Sequence, residues 1–271
     1  MTQNNRDERR DKIFDLIVKS YIETAEPVGS RTISRHSDLG LSPASIRNVM
    51  ADLEDDGLLK HPHTSAGRVP TDKGYRYFVD QLMEPEELTK TEKDLVRTEL
   101  GKEKTIEGLA EKVSKVISKL TENAALIYVK NLKRVSFLNY LLEELIEAEK
   151  LASFLEEDSE LFVEGAFRIF EQPEFHNLEK MGLLLQALDE KYEFLQVFVN
   201  DLNHEGVHVH IGQENPIGEL DDVSLVVKDY YFSGTPIGSI AVIGPTRMRY
   251  PKVMSVVDYV ADSVTETIER F

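Results

Sequence analysis

The chain contains no cysteine, so two kinds of stabilising chemistry are excluded. Without cysteine there are no disulfide bonds and no thiolate ligands for a metal ion, and a reducing compartment suits such a protein. Long hydrophobic runs are missing too: none approaches the length of about 20 residues that spans a bilayer. The N-terminus is polar and charged and lacks the pattern of a signal peptide. These absences predict a soluble, cytoplasmic protein without a membrane partner.

Recognisable catalytic motifs are also lacking. The sequence has no glycine-rich phosphate loop, no nucleophile elbow and no coupled pair of acid and base carboxylates. Residues 204–208 match the zinc motif HExxH literally, but Gly206 interrupts the helix that this motif needs, and an alternating β-branched run begins at Val207. On a strand, residues four apart lie about 13 Å from each other, too far to bind one metal. We therefore expect no catalytic residues, metal or cofactor, and we expect His208 and His210 on the outward face of a strand.

A positive net charge is missing as well, since the formal net charge is −17. The acidity is unevenly distributed: residues 1–80 carry 12 Lys and Arg against 13 Asp and Glu, whereas the remainder carries 20 against 36. An acidic body repels DNA over a Debye length of about 8 Å, which lowers non-specific binding. The charge distribution therefore leaves a DNA partner open for the N-terminal segment. With 271 residues and 41% hydrophobic residues, the chain suits two domains with apolar cores.

The N-terminal segment has the pattern of a winged helix. An amphipathic helix at Arg6–Thr24 and a short helix at Ser30–His36 precede a third helix that begins after Ser42 and ends at Gly57. Ser42 is a good N-cap, and the buried stripe of the third helix consists of Ile46, Val49, Met50 and Leu53. Two short strands, at 58–62 and 67–70, then form a hairpin with a small, polar tip. Trihelical units of this kind also occur in proteins that bind no nucleic acid, so the pattern alone leaves DNA binding a hypothesis.

Polar residues off the buried stripe are the candidate DNA contacts. Arg47 and Asn48 lie near the N-terminus of the third helix, where recognition helices place their base-reading residues. Arginine makes bidentate bonds to phosphate or guanine, and asparagine reads adenine. We assign base contacts to these two residues and phosphate contacts mainly to Ser42, Ser45, Thr64, Ser65 and Arg68. The full set of candidate DNA-binding residues is Ser30, Arg31, Ser42, Ser45, Arg47, Asn48, His63, Thr64, Ser65 and Arg68.

The remainder of the chain mixes helices and strands. An acidic connector from Pro85 leads to an amphipathic helix at Ile106–Leu120, and a last helix at Tyr250–Arg270 carries a second apolar stripe. Each stripe could cover its own domain or form a dimer contact. Between the helices, several alternating runs predict an antiparallel sheet. The sequence therefore predicts an α+β protein: a winged helix-turn-helix domain at 1–84, a linker and helix at 85–122, and an antiparallel-sheet domain at 123–271.

Long ordered motifs resemble the HrcA family of bacterial heat-inducible transcription repressors. The N-terminal motifs are EPVGSR at 26–31, LSPASIRNVMADLE at 41–54 and HTSAGRVPTDKGYR at 63–76. The C-terminal motifs are EQPEF at 171–175, IGQENP at 211–216 and IGPTRM at 243–248. The resemblance implies a winged-helix domain, a GAF-like C-terminal domain and a homodimer. It also implies repression of chaperone genes at an inverted-repeat operator, the CIRCE element, with the chaperonin GroEL as modulator.

The middle of the chain departs from that family. Typical members insert an α/β dimerising domain, whereas here residues 131–160 replace it, so the insertion is expected to be absent or reduced to one helix. The stripes of the helices at 106–120 and 253–268 are then the expected dimer surfaces. A second hypothesis is a regulator whose GAF-like domain binds a small molecule. A pocket lined by polar groups would favour that sensor, and a filled apolar core would favour the repressor.

Overall fold

The computed structural model describes residues 3–36, 39–62, 67–129, 160–190, 194, 197–198, 201, 205–215, 217 and 220–270. The segment at residues 131–160, predicted to replace the insertion, lies outside these residues, apart from Glu160. Contacts divide the chain into two compact units. The first unit comprises Met1–Glu84 together with Thr246–Tyr250, and the second comprises Pro85–Pro245 together with Pro251–Phe271.

The first unit contains three helices followed by a hairpin, in the predicted order. The helices are α1 (Gln3–Thr24), α2 (Ser30–His36) and α3 (Pro43–Asp55). The strands β1 (Leu59–Lys60) and β2 (Val69–Pro70) pair antiparallel. A further helix, α4 (Asp72–Tyr77), continues into a π-helical turn at Phe78–Leu82. Gly57 allows the sharp exit from α3 because its φ is +74°, a conformation that residues with a side chain rarely adopt.

Fully buried apolar side chains hold the helices of the first unit together. Thr71 caps α4: its hydroxyl accepts from the Gly74 amide at 3.0 Å and donates to the Gly57 carbonyl at 2.6 Å. Gly74 must lack a side chain, since a Cβ there would lie 2.2 Å from the carbonyl oxygen of Leu58. The core side chains with no exposed surface are Ile13, Phe14, Ile17, Val18, Ile46, Leu53 and Phe78.

A short segment from far along the chain completes the first unit. Arg247 donates from Nη1 to the carbonyl of Ile22 at 3.1 Å, in the last turn of α1, where backbone carbonyls have no helical partner. Tyr250 is fully buried, and its ring centroid lies 5.9 Å from that of Tyr75. The Tyr250 hydroxyl donates to the Thr246 carbonyl at 2.7 Å. The segment Thr246–Tyr250, which the sequence assigned to the second domain, thus supplies core contacts to the first unit.

The second unit is built on an antiparallel sheet with strand order β4-β3-β7-β6-β5. Its strands are β3 (Ala124–Val129), β4 (Glu160–Glu164), β5 (His208–Ile211), β6 (Val223–Phe232) and β7 (Thr235–Pro245). Its helices are α5 (Lys90–Leu100), α6 (Ile106–Thr121), α7 (Ala166–Phe170), α8 (Leu178–Glu190) and α9 (Tyr250–Ile268), of which α9 takes its first residue from the first unit. Short 3-10 turns occur at Pro173–Phe175 and Gly212–Glu214. Within the described part of the chain, no helix is both long and apolar enough to cross a membrane.

The two apolar helix stripes are buried inside this unit, which corrects one expectation. Ile127 and Ile240, paired across the sheet, line a small cavity together with Val113 of α6 and Val264 of α9. Val113 is 1% exposed and Val260 is fully buried. Each stripe therefore covers its own domain, and the expectation that these stripes form the dimer surface is wrong. Amphipathicity shows that a face is buried but does not show what covers it.

The opposite side of the sheet carries a filled apolar cluster. His208 pairs with Val227 and His210 with Leu225, so both histidines share this side with the cluster. His210 Nε2 lies 2.7 Å from an Asp201 carboxylate oxygen. The expectation that the histidines face outward is therefore wrong, because the register turns them toward the packed side. The cluster includes Leu126, Tyr128, Phe175, Leu184, Phe194, Phe198, Leu225, Val227, Ala241 and Ile243.

An ion pair between a buried lysine and a partly exposed glutamate joins α5 to the start of α9. Lys252 is 8% exposed and donates to Glu92 Oε1 at 2.5 Å, with a Glu86 oxygen at 3.6 Å. Glu92 also completes the capping box of α5 with Thr89. The bond from Lys252, together with the bonds from the Thr89 amide and hydroxyl, lowers the pKa of Glu92 to about 2. The ionised form of Glu92 is therefore favoured by folding.

This pair predicts a loss of stability in acid. The folded pKa of Glu92 lies below the value of about 4.3 for an unfolded glutamate, so its contribution is present above pH 4.3 and is lost as the pH falls toward 2. We expect Glu92→Gln to lower the melting temperature at pH 7 and the difference from the unmodified protein to narrow by pH 2. Calorimetry across this range measures it, with exposed Asp94→Asn on the same helix as the control. A difference independent of pH would contradict the prediction.

Candidate nucleic-acid interface

The exposed side of α3 carries the residues that the sequence assigned to base contacts. Ile46, Met50 and Leu53 face the core of the first unit and are at most 3% exposed. Arg47 and Asn48 are exposed, because their positions in the helical repeat point away from that stripe. The buried stripe fixes the helix, so a guanidinium and a carboxamide are presented together on a rigid support.

The start of α3 is ordered by two serines. The Ser45 amide donates to the Ser42 hydroxyl at 3.1 Å, and the two hydroxyl oxygens lie 3.0 Å apart. Pro43 occupies the first helical position, where a missing N–H costs nothing. Both serines are exposed. Ser42 therefore has a structural role as the N-cap, and the predicted phosphate contacts of Ser42 and Ser45 stay a prediction.

The candidate residues on α2 differ in exposure. Ser30 is 8% exposed and so offers little surface to a duplex, whereas Arg31 is exposed. The last turn of α2 adds two exposed residues, Arg35 and His36, which the sequence pattern did not single out. Cations near a helix C-terminus stabilise the helix and also raise the local positive potential.

Arg68, directly before β2 of the hairpin, has partners within the protein. Its Nη2 lies 2.8 Å from Glu54 Oε2, and its Nη1 donates to His61 Nδ1 at 2.8 Å. Its side chain is 17% exposed. The structure thus gives Arg68 different partners from the phosphate that the sequence pattern assigned to it. The predicted contacts His63, Thr64 and Ser65 lie outside the described residues.

Glu54 is the residue that the sequence pattern missed. It follows Leu53 and lies outside the buried stripe of α3, where a charged side chain is usually in contact with solvent. Only its distance from Arg68, 14 residues later, reveals that it has a partner. Among the described residues, no group of three or more His, Asp or Glu side chains is arranged to hold a metal ion.

Comparison with known proteins decides the family. A protein of Desulfitobacterium hafniense named heat-inducible transcription repressor HrcA is 33% identical over 97% of this chain and 97% of its own length. The protein of the same name from Carboxydothermus hydrogenoformans is 34% identical over 97% of this chain and 98% of its own length. The chain belongs to the HrcA family. The family model described as HrcA protein C terminal domain matches residues 133–254.

The alignments with HrcA relatives are longer than this chain. They run over 338 and 336 positions, whereas this chain has 271 residues, so at least 65 positions of each alignment have no residue here. That the missing positions belong to the inserted domain, and that residues 131–160 replace this domain, stays a prediction.

A solved structure shares the fold. It is described only as a hypothetical protein, is 22% identical, covers 97% of this chain and 98% of its own, and has a TM-score of 0.70. This likeness supports the mixed helix and antiparallel-sheet architecture of the HrcA chain. The name of the family describes transcription repressors, which is not a class of enzyme.

Proposed function

We propose that this HrcA-family chain represses heat-shock genes in the cytoplasm by binding, as a homodimer, to a CIRCE-type inverted-repeat operator. The observation that carries the proposal is the exposure of Arg47 and Asn48 near the start of a helix whose other face is fully buried. In a helix-turn-helix module, this part of the recognition helix, which corresponds to α3 here, enters the major groove. The three helices and the hairpin of the first unit match that winged-helix assignment.

The chemistry of the two side chains suits base reading. A guanidinium can donate two parallel hydrogen bonds to the guanine O6 and N7 atoms, and a carboxamide can donate to and accept from adenine. Each such bidentate pair discriminates between bases by about 1–3 kcal/mol. One recognition helix reads one half-site, so a two-fold symmetric dimer fits an inverted repeat.

Regulation by heat follows from the same reasoning. A repressor of chaperone genes must release its operator when proteins unfold, and proteins are stable by only about 5–15 kcal/mol. We propose that heating partly unfolds the GAF-like second unit and releases DNA. A GroEL-type chaperonin that is free of other clients refolds the repressor and restores binding.

The alternative, a sensor of a small molecule, receives less support. The side of the sheet where a GAF-like domain would hold a ligand is filled, in the described residues, by the cluster around Tyr128 and Phe198, whose rings stack at 5.7 Å. The buried polar groups on that side include Asp229 and Ser239, and the Ser239 hydroxyl donates to the Asp229 carboxylate at 2.7 Å. A filled apolar core favours a repressor that needs no ligand.

One titration tests the proposal. Fluorescence anisotropy with a labelled CIRCE-type duplex should show tight binding of two chains per duplex. A scrambled duplex of equal composition should bind at least about a thousandfold more weakly, the lower end of the specificity of such proteins. Equal affinity for both duplexes would contradict sequence-specific repression.

The same titration across temperature tests the regulation. Operator binding should fall near the growth temperature limit and be restored by added GroEL and ATP. Binding that survives well above this temperature and ignores chaperonin would exclude heat sensing but leave operator recognition intact. A small molecule found by mass spectrometry in the purified protein, if its removal changed binding, would favour the sensor.

A further inference from the structure

One carboxylate of α3 lies near the two residues that flank the loop of the wing hairpin, which we define by its described residues 59–62 and 67–70. Glu54 Oε2 lies 2.8 Å from Arg68 Nη2, and Glu54 Oε1 lies 3.8 Å from His61 Nε2. Arg68 Nη1 donates to His61 Nδ1 at 2.8 Å. Glu54, His61 and Arg68 therefore form a triangle between α3 and the hairpin, and the two contacts of Arg68 hold it together.

The triangle lies where the two strands of the hairpin pass into the loop that joins them. His61 follows β1 directly, and Arg68 comes directly before β2. The Arg68 backbone is anchored as well, because its amide donates to the Val28 carbonyl at 2.9 Å and its carbonyl accepts from the Val28 amide at 2.8 Å. Gly67 permits this approach, since a Cβ there would lie 2.4 Å from the Val28 oxygen. The side chain of Arg68 adds a direct link from the hairpin to α3.

The chemistry of the triangle requires an arginine. A guanidinium donates from two nitrogens in a fixed plane, so it can reach Glu54 and His61 at once, and a lysine ammonium lacks this fork. A guanidinium has no acceptor, so His61 Nδ1 accepts the bond from Arg68. Arg68 and Glu54 are 17% and 31% exposed, so solvent screens the pair only partly.

We propose that Glu54 is a positioning residue that holds the wing hairpin in the orientation needed on DNA. This inference rests on the proposed operator binding. It assigns a favourable role to a negative charge inside a DNA-binding element. Considered as a charge alone, a carboxylate near phosphates weakens binding, so its removal would strengthen binding. Considered as the anchor of Arg68, its removal loosens the hairpin and weakens binding. The two views therefore predict opposite changes in operator affinity when the Glu54 charge is removed.

Three variants of the full chain separate these views on the CIRCE-type duplex. Glu54→Gln removes the charge but keeps the shape, and we expect binding to weaken about three- to tenfold, the size of a partly buried charge-assisted contact. Arg68→Lys keeps the positive charge but loses the fork, and we expect a similar loss. The double variant should be no weaker than either single variant, because both break the same link.

Exposed Asp55→Asn is the matched control, since it removes a negative charge from the next position of α3. Its binding should be unchanged or slightly tighter. Melting curves of each variant test whether the first unit is folded. If Glu54→Gln fails to fold, the operator affinity of Arg68→Lys tests the proposal in its place. Glu54→Gln binding as tightly as Asp55→Asn, or Arg68→Lys binding like the unmodified protein, would overturn the proposal. Absence of operator binding by the unmodified protein would instead overturn the proposed function.

Discussion

Replacing Arg47 by alanine should weaken binding to the inverted-repeat operator by about 1–3 kcal/mol, and binding to random DNA much less. Arg47 is exposed on α3, beside Asn48 and off the buried stripe that contains Ile46. If the Arg47 side chain bonds to a base edge, this bond exists only on the operator sequence. Its removal then weakens binding to the operator and leaves binding to random DNA nearly unchanged. Paired anisotropy titrations with operator and scrambled duplexes measure the two losses separately.

The control for Arg47→Ala is Lys12→Ala, which removes an equal charge from an exposed position of α1. It should weaken operator binding and random binding by the same small factor, because a distant cation contributes only to the general potential. An equal loss on both duplexes for Arg47→Ala would show that Arg47 contacts phosphate instead of a base.

Val260→Glu should unfold the second unit instead of separating two folded subunits. Val260 has no exposed surface and lies in the stripe of α9 that faces the sheet. An unpaired carboxylate there costs about 4 kcal/mol or more, a large part of a domain's total stability of about 5–15 kcal/mol. Calorimetry should show the loss of the unfolding transition of this unit, and near-ultraviolet circular dichroism should show the loss of fixed tertiary packing.

Ser255→Glu, on the same helix at a position that is partly exposed, is the matched control for Val260→Glu. It adds the same charge without burying it and should change the melting temperature little. Sedimentation completes the test: a Val260→Glu protein that stays folded but becomes monomeric would return the stripe of α9 to the role of a dimer contact.

Local features of the first unit were predictable because the residues that carry them are neighbours in the chain. Ser42 and Pro43 mark the start of α3, and Gly57 with its positive φ marks its exit. The spacing of Ile46, Val49, Met50 and Leu53 predicts which face is buried, and therefore that Arg47 and Asn48 are exposed. Val49 is the one member of this stripe that the structure leaves only partly buried. Here the periodicity of the helix is enough to determine, from the sequence spacing, on which face of α3 each side chain lies.

Features that depend on contacts distant in sequence were not predictable in this way. The Glu54–Arg68 pair joins residues that are 14 positions apart across a turn. No sequence pattern around either residue indicates that the other is its partner. The short helix α4 was missed because Gly74 breaks its periodicity, and its capping by Thr71 depends on the Gly57 carbonyl. Likewise, the stripe around Val113 shows that a face is buried, but only the packed sheet shows that the same chain covers it.

The placement of Thr246–Tyr250 has a consequence for protein synthesis. The first unit obtains the Arg247 bond to Ile22 and the buried Tyr250 ring only after the ribosome has added residue 250. At about 5–20 residues per second, translation from Glu84 to Tyr250 takes roughly 10–30 s. During this interval the N-terminal helices exist without part of their core. A chain that terminates before Tyr250 therefore never completes the core of the first unit.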